Sequence, residues 1–133
     1  MVESKGKVIT DLAVDKVCYT YSHFRSILLN LMSNSIKYRS PDRKLIITIT
    51  SREDEENVII TVQDNGLGLD KKSQQRIFTM FRRFHSHIEG TGIGLYIIKR
   101  IIESNDGSIS VESEKDVGTK FSVYIRKEKV GEK

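Results

Sequence analysis

Apolar residues recur at helical spacing in two segments of the chain, residues 21–38 and 94–104. The first segment stops at Ser40 and Pro41, because the residue before a proline avoids the helical conformation. Both segments therefore predict helices. The apolar residues of the first are Phe24, Ile27, Leu28, Leu31, Met32 and Ile36, and those of the second are Ile97, Ile98, Ile101 and Ile102.

Four segments alternate apolar and polar side chains and are rich in β-branched residues, which is typical of strands. They are residues 44–51, 57–64, 108–113 and 120–126. The acidic turn Glu53-Asp54-Glu55-Glu56 joins the first two segments, so we predict a hairpin there.

Between the hairpin and the second long helix, Asp70 can cap a short helix over residues 71–77. Residues 78–90 show no clear period and predict a long, mobile loop. With a short strand ahead of the first helix, the order of elements predicts an α+β fold. We expect a two-layer α/β sandwich whose sheet is mixed or antiparallel and whose helices cover one face.

The length and composition favour a small globular protein. The 133 residues fit a single domain over residues 1–133, with a core over about residues 8–126 and no room for a second domain. Hydrophobic residues make up 38% and charged residues 30% of the chain, which is typical of soluble proteins. No apolar run approaches the roughly 18 residues of a membrane span, and the N-terminus lacks a signal-peptide core. We therefore expect a cytoplasmic location without direct membrane insertion.

The net charge is +4, but the basic residues are scattered among acidic ones. This distribution favours a solvated surface over a nucleic-acid footprint, and leaves a local anion such as a nucleotide phosphate open. Cys18 is the single cysteine, which excludes an internal disulfide and a cysteine-based zinc site.

Three polar residues form a stripe on the first predicted helix. Asn30, Asn34 and Lys37 fall within about 60° of one another, opposite the apolar arc. Asparagine is a poor residue for a helix interior, because its side chain competes for backbone hydrogen bonds. An amide oxygen suits a hard cation such as Mg²⁺, and a lysine one turn further on can meet a phosphate. The stripe alone leaves a plain solvated face as the alternative.

The segment DNGLG, Asp64 to Gly68, follows the second predicted strand. Asp64 offers a fixed carboxylate acceptor at the strand end, which a purine amino group would suit. Gly66 and Gly68 permit positive φ angles and let a flat ring approach the backbone. An ordinary turn that caps the next helix is the alternative interpretation.

The segment GTGIGL, residues 90–95, opens the second long helix. Unpaired N–H groups and the positive end of the helix dipole can hold phosphate there. The segment is not a Walker A loop, because no Gly-Lys-Ser/Thr follows. A loop rather than a strand precedes it, which argues against a dinucleotide-binding fingerprint.

Five segments in a fixed order are more specific than any one of them. NLMSNSIKY, DNGLG, IFTMFRRF, GTGIGL and GTKF follow the order of the N, G1, F, G2 and G3 boxes. By these segments the chain resembles the catalytic ATP-binding domain of sensor histidine kinases, over about residues 8–125. That domain belongs to the superfamily of gyrase, heat-shock protein 90, histidine kinases and MutL. The resemblance implies a Bergerat-type fold with nucleotide between the helical layer and a flexible lid.

The resemblance implies a role for the matching residues. Asn34 would bind Mg²⁺, Lys37 would contact phosphate, and Tyr38 would lie beside the adenine. Asp64 would accept a hydrogen bond from the adenine amino group, and Asn30 would lie near the metal or the attacking group. Asn30, Asn34 and Lys37 would thus form the catalytic set. The further nucleotide contacts implied are Gly66, Gly68, Arg83, Gly90, Thr91, Gly92, Ile93, Gly94, Leu95 and Thr119.

The resemblance also implies a lid. Phe78, Phe81 and Phe84 would anchor it, and Arg82 and Arg83 are candidates to meet the γ-phosphate when it closes.

The chain departs from the family pattern in three respects. Ser35 replaces the usual alanine, and Asp116 stands where the third glycine motif often has its first glycine. No histidine has the context of a phosphate acceptor: His23, His85 and His87 are followed by Phe, Ser and Ile rather than by an acid.

These observations predict an ATP- and Mg²⁺-dependent histidine kinase module. It would transfer the γ-phosphoryl group to a histidine on a separate dimerisation domain, normally in the same parent chain, with a response regulator downstream. The alternative is a nucleotide-binding module of the same superfamily that acts as an ATPase or interaction domain without histidine phosphorylation. Nucleic-acid binding is the least favoured interpretation. The cytoplasmic part of a membrane-bound receptor fits the expected location.

Overall fold

A computed structural model describes residues 6–13, 19–78 and 93–127 of the chain. Its elements in chain order are β1 (Lys7–Leu12), α1 (Tyr21–Lys37), β2 (Ile46–Glu53), β3 (Asn57–Asp64), α2 (Lys71–Arg76), α3 (Ile93–Ser104), β4 (Ser108–Glu114) and β5 (Gly118–Arg126). The predicted helices and strands are confirmed, with bounds that differ by at most two residues. Of the predicted loop, only Phe78 is among the described residues.

The strands form one five-stranded sheet in the order β1-β2-β3-β5-β4. β1 runs parallel to β2, and the other three pairs are antiparallel. The sheet is therefore mixed, which confirms the α+β prediction. The predicted hairpin is also confirmed: in its turn, Asp54 Oδ1 accepts hydrogen bonds from the N–H groups of Glu56 (2.9 Å) and Asn57 (2.7 Å).

One face of the sheet packs against the helices and forms the core. Successive side chains of a strand point to opposite faces, so alternate residues of β3 and β5 reach the same layer. Each large aliphatic side chain buried there stabilises the fold by about 1.5–3 kcal/mol. The most deeply buried members of the core are Phe121, Ile27, Leu31, Ile98, Ile102, Val62 and Val123.

The buried face of α1 differs from the predicted arc. Ile27, Leu31 and Ser35 are its fully buried residues, whereas Ile36 is 39% exposed. Ile36 follows the helical spacing but lies off this face, because the face is centred on the i, i+4 row that begins at Ile27. As a result, the polar stripe borders the buried face instead of lying opposite to it.

Two further features concern the helices. Asp70 caps α2 as predicted, since its side chain accepts a hydrogen bond from the Ser73 N–H. Within the described ranges, no helix has the length and apolar character needed to span a membrane.

Candidate functional site

Asp64, the last residue of β3, faces the core layer. It lies in the same alternating row as Val62 and pairs with Ile47 on β2 and with Thr119 on β5. Its side chain ends up only 9% exposed, at the point where the apolar row of the strand gives way to a loop. A carboxylate in such a place needs hydrogen-bond donors, because burial of an unpaired charge is strongly unfavourable.

Three donors from the described residues surround the Asp64 carboxylate. Oδ1 accepts from the Gly66 N–H (2.9 Å) and the Thr119 N–H (3.2 Å), and Oδ2 accepts from the Ser35 hydroxyl (2.8 Å). A carboxylate has about four acceptor positions, two on each oxygen. With respect to the residues that the structure describes, one position therefore remains, and it is on Oδ2.

Burial raises the pKa of the Asp64 carboxyl above its ordinary value. The Gly66 N–H, the Ser35 hydroxyl, the Thr119 N–H and the Arg43 guanidinium act in the opposite direction, because each of them favours the charged form. The result is a desolvated acceptor that is held in place by its partners, which suits an N–H donor from a ligand.

The loop after Asp64 packs against the C-terminal end of α1. The Leu67 N–H donates to the Tyr38 carbonyl (2.9 Å), and a Cβ on Gly66 would lie only 2.6 Å from that same oxygen. Gly68 has φ +72, and a Cβ there would overlap the carbonyl of Glu114. The two glycines are thus required for different reasons: close approach at the first, and a left-handed backbone with close approach at the second.

Arg43 ties this loop to the turn between β4 and β5. Its Nε donates to the carbonyl of Asn65 (2.6 Å), and its Nη2 donates to those of Gly66 (2.7 Å) and Asp116 (2.8 Å). Asp116 has φ +68, a conformation that favours glycine, which accounts for the glycine expected there. Its N–H in turn donates to the Leu67 carbonyl (2.6 Å).

Thr119 contributes its backbone to Asp64 and its hydroxyl to Ser113, with the two hydroxyl oxygens 2.8 Å apart. Because the Ser113 hydroxyl donates to the Gly118 carbonyl (2.9 Å), the proton between the two hydroxyls belongs to Thr119. Ser113 also accepts from the Leu69 N–H (2.8 Å). This network fixes the start of β5 against the loop after Asp64.

The polar stripe of α1 borders the same region. Asn34 is half-buried and lies one residue before Ser35, and Lys37 is exposed at the last residue of the helix. Asn30 is half-buried, and its Nδ2 donates to the Ser26 carbonyl (2.8 Å), which leaves its Oδ1 as an acceptor. Within the described part of the chain, the Asn34 carboxamide makes no hydrogen bond. Nor do the described residues contain a cluster of three His, Cys, Asp or Glu side chains that could hold a metal.

The glycine-rich segment is described only in part. Ile93 and Gly94 begin α3, and Leu95 is 7% exposed and belongs to the hydrophobic core. Phe78 packs edge to face on Phe121, with ring centroids 6.2 Å apart. The other predicted lid and phosphate residues lie outside the described ranges: Phe81, Arg82, Arg83, Phe84, Gly90, Thr91 and Gly92.

Sequence reasoning missed three residues that organise the site. Ser35 was noted only as a substitution, and Arg43 and Ser113 carried no signal. Each acts on a partner far away in the sequence: 29 residues separate Ser35 from Asp64, and 73 separate Arg43 from Asp116. Only the spacing of Ser35 on the buried face of α1 could have indicated its direction.

Residues 20–129 match the family described as "Histidine kinase-, DNA gyrase B-, and HSP90-like ATPase". The sensor protein RprX of Bacteroides fragilis is 34% identical over 126 residues, which cover 90% of this chain and 24% of that protein. The histidine protein kinase SaeS of Staphylococcus aureus is 34% identical over 105 residues, which cover 76% of this chain and 30% of that protein. The chain thus spans less than a third of the length of these relatives.

Solved structures share the fold. The catalytic domain of the histidine kinase ThkA, in a nucleotide-free form, is 25% identical and superposes with a TM-score of 0.76 over 90% of this chain and 79% of that one. A mycobacterial sensor histidine kinase, MprB, is 20% identical with a TM-score of 0.75, over 90% of this chain and 83% of that one.

Proposed function

Since the chain belongs to the histidine kinase-, DNA gyrase B- and HSP90-like ATPase family, we propose that it is the ATP-binding catalytic domain of a sensor histidine kinase. It transfers the γ-phosphoryl group of ATP to a histidine on a separate dimerisation domain, from which a response regulator takes it. The protein acts in the cytoplasm. The observation that carries the proposal is the buried Asp64 carboxylate, which three donors hold and which has one acceptor position left open by the described part of the chain.

In this proposal the open position on Asp64 Oδ2 accepts the adenine amino group. Gly66 has no side chain, so the loop packs directly on the Tyr38 carbonyl at the end of α1 and holds this wall of the base site in place. The half-buried Tyr38 borders the base from the end of α1. A hydrogen bond to a charged acceptor contributes about 1.5–3 kcal/mol, which makes Asp64 the main determinant of base affinity.

The phosphates lie toward the polar stripe of α1. The half-buried carboxamide of Asn34 suits Mg²⁺, which prefers oxygen ligands, needs few from the protein and keeps several waters. When bound, Mg²⁺ neutralises charge on the phosphate oxygens. Lys37 supplies a further positive charge from the end of the helix, and Asn30 offers its Oδ1 near the reacting groups. These residues position the ATP phosphates and neutralise their charge. Positioning and charge neutralisation are the larger part of catalysis in phosphoryl transfer.

The remaining phosphate contacts of the proposal come from the glycine-rich segment and the lid. They are Arg83, Gly90, Thr91, Gly92, Ile93, Gly94 and Leu95. The helix dipole is positive at the start of α3, so the backbone N–H groups there suit phosphate oxygens. The buried side chain of Leu95 holds the first turn of α3 against the core, so only its backbone is suited to the nucleotide.

The test combines binding and transfer in one pair of variants. Asp64→Asn should weaken ADP binding by about 10- to 150-fold in calorimetry, and Mg²⁺ should not restore it. Asp11→Asn, an exposed aspartate on β1, is the matched control and should bind like the wild type. The second measurement is transfer of label from γ-labelled ATP to an added dimeric helical domain with an acceptor histidine. This transfer should be reduced in Asp64→Asn and unchanged in Asp11→Asn.

Two results would contradict the proposal. Wild-type ADP affinity in Asp64→Asn would remove this residue from the site. Tight ATP binding without transfer to any supplied acceptor would instead favour a nucleotide-binding interaction module.

A further inference from the structure

We infer that Ser35 is a positioning residue that sets the base specificity of the site. Its hydroxyl fills one acceptor position of Asp64 Oδ2, and the donors in the described ranges then leave a single position for an incoming N–H donor. This inference rests on the proposed function, since it concerns how Asp64 distinguishes purines. Neither the family resemblance nor the predicted set of site residues assigns Ser35 a role.

The place of Ser35 in the fold directs its hydroxyl. The residue is 1% exposed and lies on the buried i, i+4 row of α1, one turn beyond Leu31. Its Oγ is 2.8 Å from Asp64 Oδ2 and 3.2 Å from the Leu31 carbonyl. A hydroxyl has one proton, and the nearer, charged acceptor takes it, because hydrogen bonds to ionised groups are the stronger ones.

Counting acceptor positions then gives the specificity. Both positions of Oδ1 are filled by the N–H groups of Gly66 and Thr119, and one position of Oδ2 is filled by Ser35. A 6-amino purine can donate one N–H to the position that remains. A 6-oxo purine instead brings a carbonyl oxygen against a carboxylate without a shared proton, which is unfavourable.

Removal of the Ser35 hydroxyl changes Asp64 in two ways. Oδ2 gains a second open position, so the carboxylate is no longer restricted to one approach direction. The carboxylate also loses a donor that favours its charged form, so it holds its proton to a higher pH. Arg43 is the charged side chain that acts on Asp64 within the described ranges, and it is unchanged in all the variants below.

The experiment compares Ser35→Ala with Ser33→Ala, an exposed serine on the same helix. Calorimetry measures the binding of ADP and of inosine diphosphate, which carries a 6-oxo base, to each protein. We expect Ser35→Ala to weaken ADP binding by roughly 3- to 10-fold and to change inosine diphosphate binding less. The preference for ADP, measured as its affinity divided by that of inosine diphosphate, should therefore fall. Ser33→Ala should keep the wild-type ratio.

A pH series adds a measurement that a merely structural role would not change. ADP binding weakens once Asp64 is protonated, because the neutral acid no longer accepts in the same way. In Ser35→Ala this loss should begin at a higher pH than in the wild type or in Ser33→Ala. An affinity ratio and a pH profile equal to those of the wild type would overturn the inference.

The outcome separates the inference from the proposed function. A wild-type chain that does not bind ADP, or does not prefer it to inosine diphosphate, refutes the adenine site itself. A wild-type chain that prefers ADP, together with an unaffected Ser35→Ala, refutes only the role of Ser35. If Ser35→Ala does not fold, as judged by circular dichroism, Ser35→Cys keeps the shape with a weak S–H donor. Its affinity ratio and pH profile should then lie between those expected for Ser35→Ala and the wild type, and wild-type values would again refute the role.

Discussion

Burial of the Asp64 carboxylate is a cost to the stability of the fold, and the proposed function accounts for it. Desolvation disfavours the charged form, and three donors with the nearby Arg43 only partly offset it, so the pKa stays raised. An apolar residue in its place would leave the three buried donors of Ser35, Gly66 and Thr119 unpaired, so these donors are part of the same cost. In the proposed function, the adenine amino group uses the acceptor position that the described donors leave open on Oδ2.

This cost has a pH signature in the unfolding free energy of the ligand-free chain. Because the folded pKa of Asp64 is raised, the folded state binds more protons than the unfolded state above about pH 3.9, the ordinary aspartate pKa. Stability from this group is therefore present at low pH and is lost as the pH rises through the folded pKa. Its slope cannot exceed about 1.4 kcal/mol per pH unit, since one group titrates.

Urea unfolding of the wild type and of Asp64→Asn over a pH series measures this contribution. We expect the wild type to lose stability relative to Asp64→Asn as the pH rises across that window. Asp11→Asn, in which an exposed carboxyl is replaced, should follow the wild type. If the unfolding free energies of the wild type and Asp64→Asn change in parallel with pH, the raised pKa of Asp64 does not affect folding stability.

For single residues, the sequence was informative where the pattern involves neighbours in the chain. Alternation along the strand and the glycines that follow it were sufficient to identify Asp64 as an acceptor at a strand end. The donors that hold it, Ser35 and Thr119, come from other elements, 29 and 55 residues away. Thr119 was found through the family motif, whereas Ser35 was found only when the facing surfaces of α1 and β3 were known.

Among the connecting segments, the loop after β3 and the turn before β5 are joined by the hydrogen bonds of Arg43. One guanidinium serves three carbonyls, two in the loop after β3 and one in the turn before β5. No other side-chain type offers donors in a planar fork of this size. The loop and the turn should therefore open together when the fork is removed.

Arg43→Ala tests this coupling. We expect a loss of about 1–2 kcal/mol of unfolding free energy, with faster hydrogen exchange at the amides of Leu67 and Asp116, which donate to the Tyr38 and Leu67 carbonyls. Arg43→Lys should restore little, because an ammonium cannot reproduce the fork. Arg25→Ala, an exposed arginine on α1, is the control. Unchanged exchange at both amides would mean that backbone bonds alone hold the two segments.

The elements themselves were predictable to different degrees. α1 and the four later strands have strong periods, and their bounds were found within two residues. β1 is exposed at every position, so alternation gives it no signal, and its parallel pairing with β2 is set by the connection through α1. Helical spacing alone does not fix burial, since Ile36 on α1 and Ile97 on α3 are 39% and 46% exposed.

For the whole molecule, strand order decides what the site contains. β3 and β5 are neighbours, so residues 55 positions apart meet at one end of the sheet, and the end of α1 lies over the same place. The sequence predicted the strands but not their order. The family resemblance supplied the residues that local patterns could not bring together.

The arrangement of the whole molecule also bears on where the phosphoryl group can go. His23, the third residue of α1, is separated from Asn34 by 11 residues of continuous helix. At 1.5 Å per residue this is about 16 Å along the axis, whereas in-line transfer needs reacting atoms about 3–3.5 Å apart. A helix is rigid on this scale, so His23 cannot accept phosphate from a nucleotide held at Asn34 in the same molecule.

We therefore expect the chain alone to bind ATP without labelling His23. The measurement is acid-labile, base-stable label on the protein after incubation with γ-labelled ATP and Mg²⁺. His85 and His87 lie outside the described ranges, and their sequence context predicts that they too remain unlabelled, which His85→Gln and His87→Gln check separately. Label that appears on the isolated chain and disappears in His23→Gln would show that the distance along the helix does not prevent transfer. Such label can also arise when one chain phosphorylates His23 of another. A dependence of that label on protein concentration would identify the second route, because transfer within one molecule is independent of concentration.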